Sequence, residues 1–184
     1  MDTKVKQLKD KVAAYNHVLE NTIIYRKAWI DTLKQLISST LQNFITDSGL
    51  KGKIVENNEM ENLESIALDL GRSSSGITQS RGTEDIKNFM IKNNGVMIYQ
   101  QLFNGKVMVM VQHPYIEGYG EPKEPQLLEI VTPGELNASL IYQHVESLLD
   151  IITEWEDFDD ESPQKKTVFQ PIGFQHTLTL DKTN

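Results

Sequence analysis

Gly95–Pro114, read as GVMIYQQLFNGKVMVMVQHP, decides the fold. Two runs of β-branched, aromatic and aliphatic residues flank Asn104-Gly105. Asn-Gly between such runs is the strongest short-range hairpin signal, because a type I′ turn needs positive φ at both central residues. A two-residue turn sets Phe103 opposite Lys106 and Leu102 opposite Val107. Directly opposed residues share a face of the sheet. Val96, Ile98, Gln100 and Leu102 are then expected on the core face, with Val107, Val109, Val111 and His113. The other face carries Met97, Tyr99, Gln101 and Phe103 with Lys106, Met108, Met110 and Gln112. On it, Met97, Tyr99, Gln101, Met108 and Met110 form the expected interaction surface, covered by the chain itself or by a partner. Unbranched, polarizable Met adapts to varied shapes.

Working outward from the hairpin, Gln126–Val131 (QLLEIV) reads as a strand. Thr132-Pro133-Gly134-Glu135 offers Thr as N-cap, Pro at the first helical position and Glu at the third. The helix it predicts runs to about Trp155, with Leu136, Leu140, Val145, Leu148 and Ile152 on its buried stripe. Upstream, residues 53–57 (KIVEN) are a short strand. Leu63–Leu70 fits a strand through Ile66, Leu68 and Leu70, or a helix through Met60, Leu63, Ala67 and Leu70. The strand is preferred, because a lone hairpin is marginally stable. Arg72–Gly82 (RSSSGITQSRG) reads as a Ser- and Gly-rich loop, and Thr83 caps a short helix through Met90.

Residues 3–46 read as helix, with no Gly or Pro between Met1 and Ser48. Val5, Leu8, Val12, Tyr15, Leu19 and Ile23 fit the three-then-four spacing of a coiled-coil seam. Trp29, Ile30, Leu33, Leu36, Ile37, Leu41 and Phe44 form the wider stripe of a helix packed on a core. Unbroken, this helix spans roughly 60 Å at 1.5 Å per residue. It therefore projects, folds back near Asn21-Thr22, or pairs with a second chain. Arg26 interrupts the seam.

These elements predict an α+β fold: an antiparallel sheet of about four to five strands, packed by a C-terminal amphipathic helix, with a long N-terminal helix. The division is 1–48, a long N-terminal helix for packing or oligomerisation; 49–156, an α+β core domain; and 157–184, an acidic and irregular C-terminal tail. The acidic run Glu154–Glu161 (EWEDFDDE) marks the junction.

Charge is uneven. Residues 1–53 hold nine Lys and Arg against five Asp and Glu, a net +4, while the remainder holds nine against twenty-one, a net −12. Such an acidic body argues against nucleic acid as a ligand, since phosphate neutralisation dominates that affinity. The chain has no cysteine, which removes disulfides, Cys-based zinc sites, Fe–S clusters and a Cys nucleophile, and fits a cytoplasmic protein. MDTKVKQLKDKV has no apolar h-region, so no secretory leader is expected. No apolar run reaches the ~18 residues of a membrane span, so no membrane partner is expected either.

Chemistry-bearing motifs are sparse. His113, Tyr115, Glu117 and Tyr119 leave the hairpin on one Gly/Pro loop and are the weak candidates for ligand binding. His17, His113, His144 and His176 show no metal-ligand spacing, so no metal or other cofactor is expected. Asp157, Asp159 and Glu161 lack the Gly and Glu that a calcium loop needs. Gly71–Gly76 lacks the Lys-Ser/Thr end of a P-loop. The leading expectation is a non-enzymatic interaction or adaptor protein, a homodimer or a subunit bound to another protein. The alternative is a small-ligand binder or hydrolytic enzyme with its pocket at His113–Tyr119.

Overall fold

The computed structural model describes residues 2–80 and 87–157. The N-terminal helix is continuous, comprising α1 (Asp2–Ala28), a π-helical turn (Trp29–Leu33) and α2 (Lys34–Ser48). It passes Asn21-Thr22 without reversing. Buried Trp29, Leu33 and Ile37 recur at intervals of four, wider than an α-helical turn. The π turn accommodates that spacing, with Lys34 N–H donating to Trp29 O.

Among the described residues eight strands follow: β1 (Lys53–Asn57), β2 (Ser65–Asp69), β3 (Arg72–Ser80), β4 (Lys87–Asn93), β5 (Val96–Gln101), β6 (Val107–Gln112), β7 (Tyr115–Ile116) and β8 (Gln126–Val131). Helix α3 spans Ala138–Glu156. One antiparallel sheet has the order β1-β2-β5-β6-β8, and a smaller one the order β3-β4-β7. Trp29, Leu33, Ile37 and Leu41 from the first helix meet Ile141, Val145 and Leu148 from α3 in one buried cluster over the larger sheet. The fold is α+β, with its helices on one face of that sheet.

The hairpin forms, but its register differs from the expected one by a residue. Gln101 pairs with Val107, Tyr99 with Val109 and Met97 with Val111. Leu102 N–H donates to Lys106 O and Gly105 N–H to Leu102 O, both at 2.8 Å, which closes a three-residue loop. Gly105 has φ +77°, whereas Asn104 is not in the positive-φ region, so the type I′ geometry is excluded. The alternative is a type I turn followed by a glycine bulge. The slip moves Met97, Tyr99 and Gln101 onto the core face with Val107, Val109 and Val111, all at most 1 % exposed. Val96, Ile98 and Gln100 take the outer face instead, half-buried.

Three further expectations are corrected. Arg72–Ser80 is strand β3, not loop, and bulges between Ser74 and Thr78. Phe89 and Met90 lie on strand β4 rather than a helix, and the proposed Thr83 cap lies outside the described residues. Thr132–Glu135 closes a turn, with Glu135 Oε2 accepting from both Thr132 N–H and Thr132 Oγ1 (2.7 Å each), while α3 starts later behind Asn137, whose side chain accepts from Leu140 N–H. Leu63–Leu70 contains strand β2, as the alternation indicates. The tail beyond residue 157 lies outside the described residues.

Gly105 also meets α1. A Cβ built there would lie 2.6 Å from Tyr25 Cβ and 2.8 Å from the Arg26 backbone nitrogen. Gly105→Ala therefore combines left-handed strain with an overlap that no side-chain rotation relieves. It should lower stability by about 1–3 kcal/mol in urea unfolding, more than Asn104→Ala.

Candidate functional site

Three side chains form a polar chain across the core. Tyr99, Val109 and Glu129 are paired across β5, β6 and β8, so they stand in one row of the sheet. The β6–β8 register shifts between Val109 and Met110, which places Glu129 inward while Leu127 turns outward opposite Met110. His144 on α3 bridges the row over Val109. Its Nδ1 lies 3.0 Å from Tyr99 Oη and its Nε2 lies 2.5 Å from Glu129 Oε1.

Burial, and then the Glu129 charge, push the Tyr99 phenol well above its ordinary value. Tyr99 therefore stays protonated. Where its hydroxyl donates to Nδ1, the ring proton lies on Nε2 and donates to the carboxylate. Glu129, His144, Gln143 and Ser147 border an open cleft of about 280 Å³ between β8 and α3, with Leu127, Leu128 and Leu140. Both imidazole nitrogens are engaged, and Ser147 Oγ donates to Gln143 O on its own helix (3.1 Å). The geometry satisfies a buried tyrosine and ties α3 to the edge strand; it does not present an activated nucleophile. The sequence carried two signals for it: a carboxylate inside QLLEIV, and a histidine on the apolar stripe of α3 beside Ile141 and Val145.

The residues singled out from the sequence are dispersed. His113 is half-buried at the end of β6, and Tyr115 lies on β7 opposite Asn93. Glu117 accepts from Asn93 Nδ2 (3.2 Å) and faces Arg72 Nη1 at 3.5 Å, so its carboxylate latches the smaller sheet. Tyr119 N–H donates to Ile116 O. Met108 and Met110 lie half-buried on the outer face, with Val55, Ile98 and Leu127 in the Met110 row. Met97, Tyr99 and Gln101 are on the opposite, core face, so the five do not form one surface. Gln101 Oε1 is buried there without a hydrogen-bond partner among the described residues. Among those residues, no group of three or more His, Asp or Glu could hold a metal ion, and no helix is long and apolar enough to cross a membrane.

Much of α1 is uncovered by the described residues. Every residue from Thr3 to Glu20 is exposed. Val5, Leu8, Val12, Tyr15 and Leu19 are each 47–62 % exposed, while Trp29 and Leu33 further along the same spacing are buried. The helix is anchored at its root. Arg26 Nε and Nη2 donate to Phe103 O (3.0 and 2.5 Å), which explains a charge at a seam position. Trp29 Nε1 donates to Glu64 Oε2 (2.8 Å), and Lys34 pairs with the same oxygen while donating to Asn58 Oδ1 (3.1 Å). No known protein family, curated protein or solved structure matches the chain.

Two outcomes follow from these contacts. Tyr99→Phe leaves His144 Nδ1 buried without its hydroxyl partner, and should cost about 1–3 kcal/mol in chemical denaturation. At the helix root, burial alone would raise the Glu64 carboxyl, but hydrogen bonds from Lys34 and Trp29 and the Lys34 charge hold it below its ordinary 4.5. A depressed carboxyl stabilises the fold above its unfolded value and loses that contribution as pH falls through its folded value. The stability difference between the native chain and Glu64→Gln should therefore be largest above pH 4.5 and shrink below it, as thermal melts across pH would show.

Proposed function

We propose that this is a non-enzymatic protein–protein interaction or adaptor protein, acting as a homo-oligomer or complex subunit through α1. The observation that carries this reading is the stripe Val5, Leu8, Val12, Tyr15 and Leu19, apolar, seam-spaced and open to solvent over several turns. An exposed helix gains no stability from packing, and isolated helices are marginal in water. This one also contains Thr3, Val5, Val12, Val18, Thr22, Ile23 and Ile24, whose β-branches lower helix propensity. A partner that buries the stripe supplies what the rest of the described chain does not. The absence of cysteine suits the cytoplasmic setting that this reading assumes.

The alternative pocket at His113–Tyr119 has less support, because Glu117, its carboxylate, is already engaged by Arg72 and Asn93.

A photo-crosslinking side chain placed at Val12 in the cell that makes this protein should give a discrete covalent adduct. The same group at Lys6 or Asp10, away from the stripe, should give little. Equal labelling from all three positions, or none from Val12, defeats the reading.

A further inference from the structure

We propose that the partner of α1 is a second copy of this chain, lying antiparallel along the stripe. This rests on the reading of α1 as an interaction helix and adds the partner's identity and direction.

Direction follows from where the body sits. The three-four spacing of Val5, Leu8, Val12, Tyr15 and Leu19 continues through Thr22, Arg26, Trp29 and Leu33. At the last three positions the helix already faces its own body: Arg26 binds Phe103 O, and Trp29 and Leu33 are buried. Stripe and body therefore share one face of the helix. A parallel partner would need that face at the root as well, where the hairpin tip packs so closely that only a glycine fits beside Tyr25 and Arg26. An antiparallel partner needs only the free part, about 35 Å of helix before Tyr25 at 1.5 Å per residue.

The free part is also self-complementary. About a two-fold axis between Ala13 and Ala14, Leu8 meets the partner's Leu19, Val12 meets the partner's Tyr15, and Val5 meets the partner's Thr22. Each layer then combines an a with a d position, and small residues meet larger ones at the centre. Charge selects the same direction. Parallel pairing brings Lys4, Lys9 and Lys11, which all hold positions flanking the seam, towards their own copies. Antiparallel pairing carries this basic end towards the partner's body, which belongs to the part of the chain with net charge −12.

The absence of cysteine makes the test direct. Leu8→Cys and Leu19→Cys change side chains that are exposed in a single chain, and emission from buried Trp29 verifies that each variant folds. Light scattering of the purified chain should give twice its 21.0 kDa mass. Under mild oxidation, the two variants co-expressed should yield a covalent mixed dimer, while neither expressed alone should. Covalent dimers from Leu8→Cys alone mean parallel pairing and overturn the proposal, as does a dimer with no mixed disulfide. A chain that stays at 21.0 kDa at high concentration overturns self-pairing. If the Val12 adduct in cells is then a different protein, the interaction reading survives this failure; if there is no adduct, both fall.

Discussion

One extra residue in the β5–β6 loop governs the rest of the molecule. Side chains alternate along a strand, so a one-residue change in pairing exchanges what one strand buries while the other stays in place. With Gly105 in the left-handed region and Leu102 bonded to Lys106, Tyr99 comes inward beside Val109. Once inward, its hydroxyl requires a partner, since an unpaired buried hydroxyl is costly. His144 supplies it, and Glu129 completes the chain at the edge strand. A two-residue turn would have put Gln100 and Ile98 under α3 instead, leaving His144 with no phenol. The same glycine brings the hairpin tip against Tyr25 and Arg26. Sheet register, the core polar chain and the exit of the N-terminal helix are thus coupled through a single turn.

The elements visible in the sequence are those with clear periodicity. The strands at 53–57, 96–101, 107–112 and 126–131, the long helix and the stripe of α3 announce themselves through apolar spacing, while 65–69 fits two periods and is a strand because it pairs with its neighbours. What the sequence concealed depends on partners distant along the chain. Asn-Gly is compatible with two loop lengths, and the tip it forms packs against Tyr25 and Arg26 some eighty residues earlier. β3 has the composition of a loop, yet it is a strand because β4 pairs with it. Thr132–Glu135 has the residues of a capping box and uses them, but to close a turn ahead of Asn137. Glu129 and His144 are fifteen positions apart on different element types, so no local spacing links them.

α1 is where local and global requirements part. Its N-terminal half carries a seam that nothing in the described chain fills, and its C-terminal half carries the same spacing into the core. The π turn lies between these two uses. Trp29, Leu33 and Ile37 stay buried through it at intervals of four. Glu64 secures this point, accepting from the Trp29 indole and pairing with Lys34 on either side of the turn. The anchoring is strong where the helix meets the sheet and ends abruptly beyond it. A rigid root on a free stem fixes the direction in which the stripe is presented.

That fixed direction bears on what can bind. A flexible tether would let two chains meet in either orientation, and charge alone would have to choose between them. Here the body occupies the stripe's own side at the root, so in the proposed pairing sterics would exclude one orientation before charge acts. The lysines at the far end would then reinforce the remaining one, at a distance where salt weakens them. In that pairing the apolar layers would supply affinity, and the position of the body would supply direction. Hydrophobic contact is non-directional, so the direction of the proposed pairing would come from the obstruction and the flanking charges rather than from the apolar seam itself.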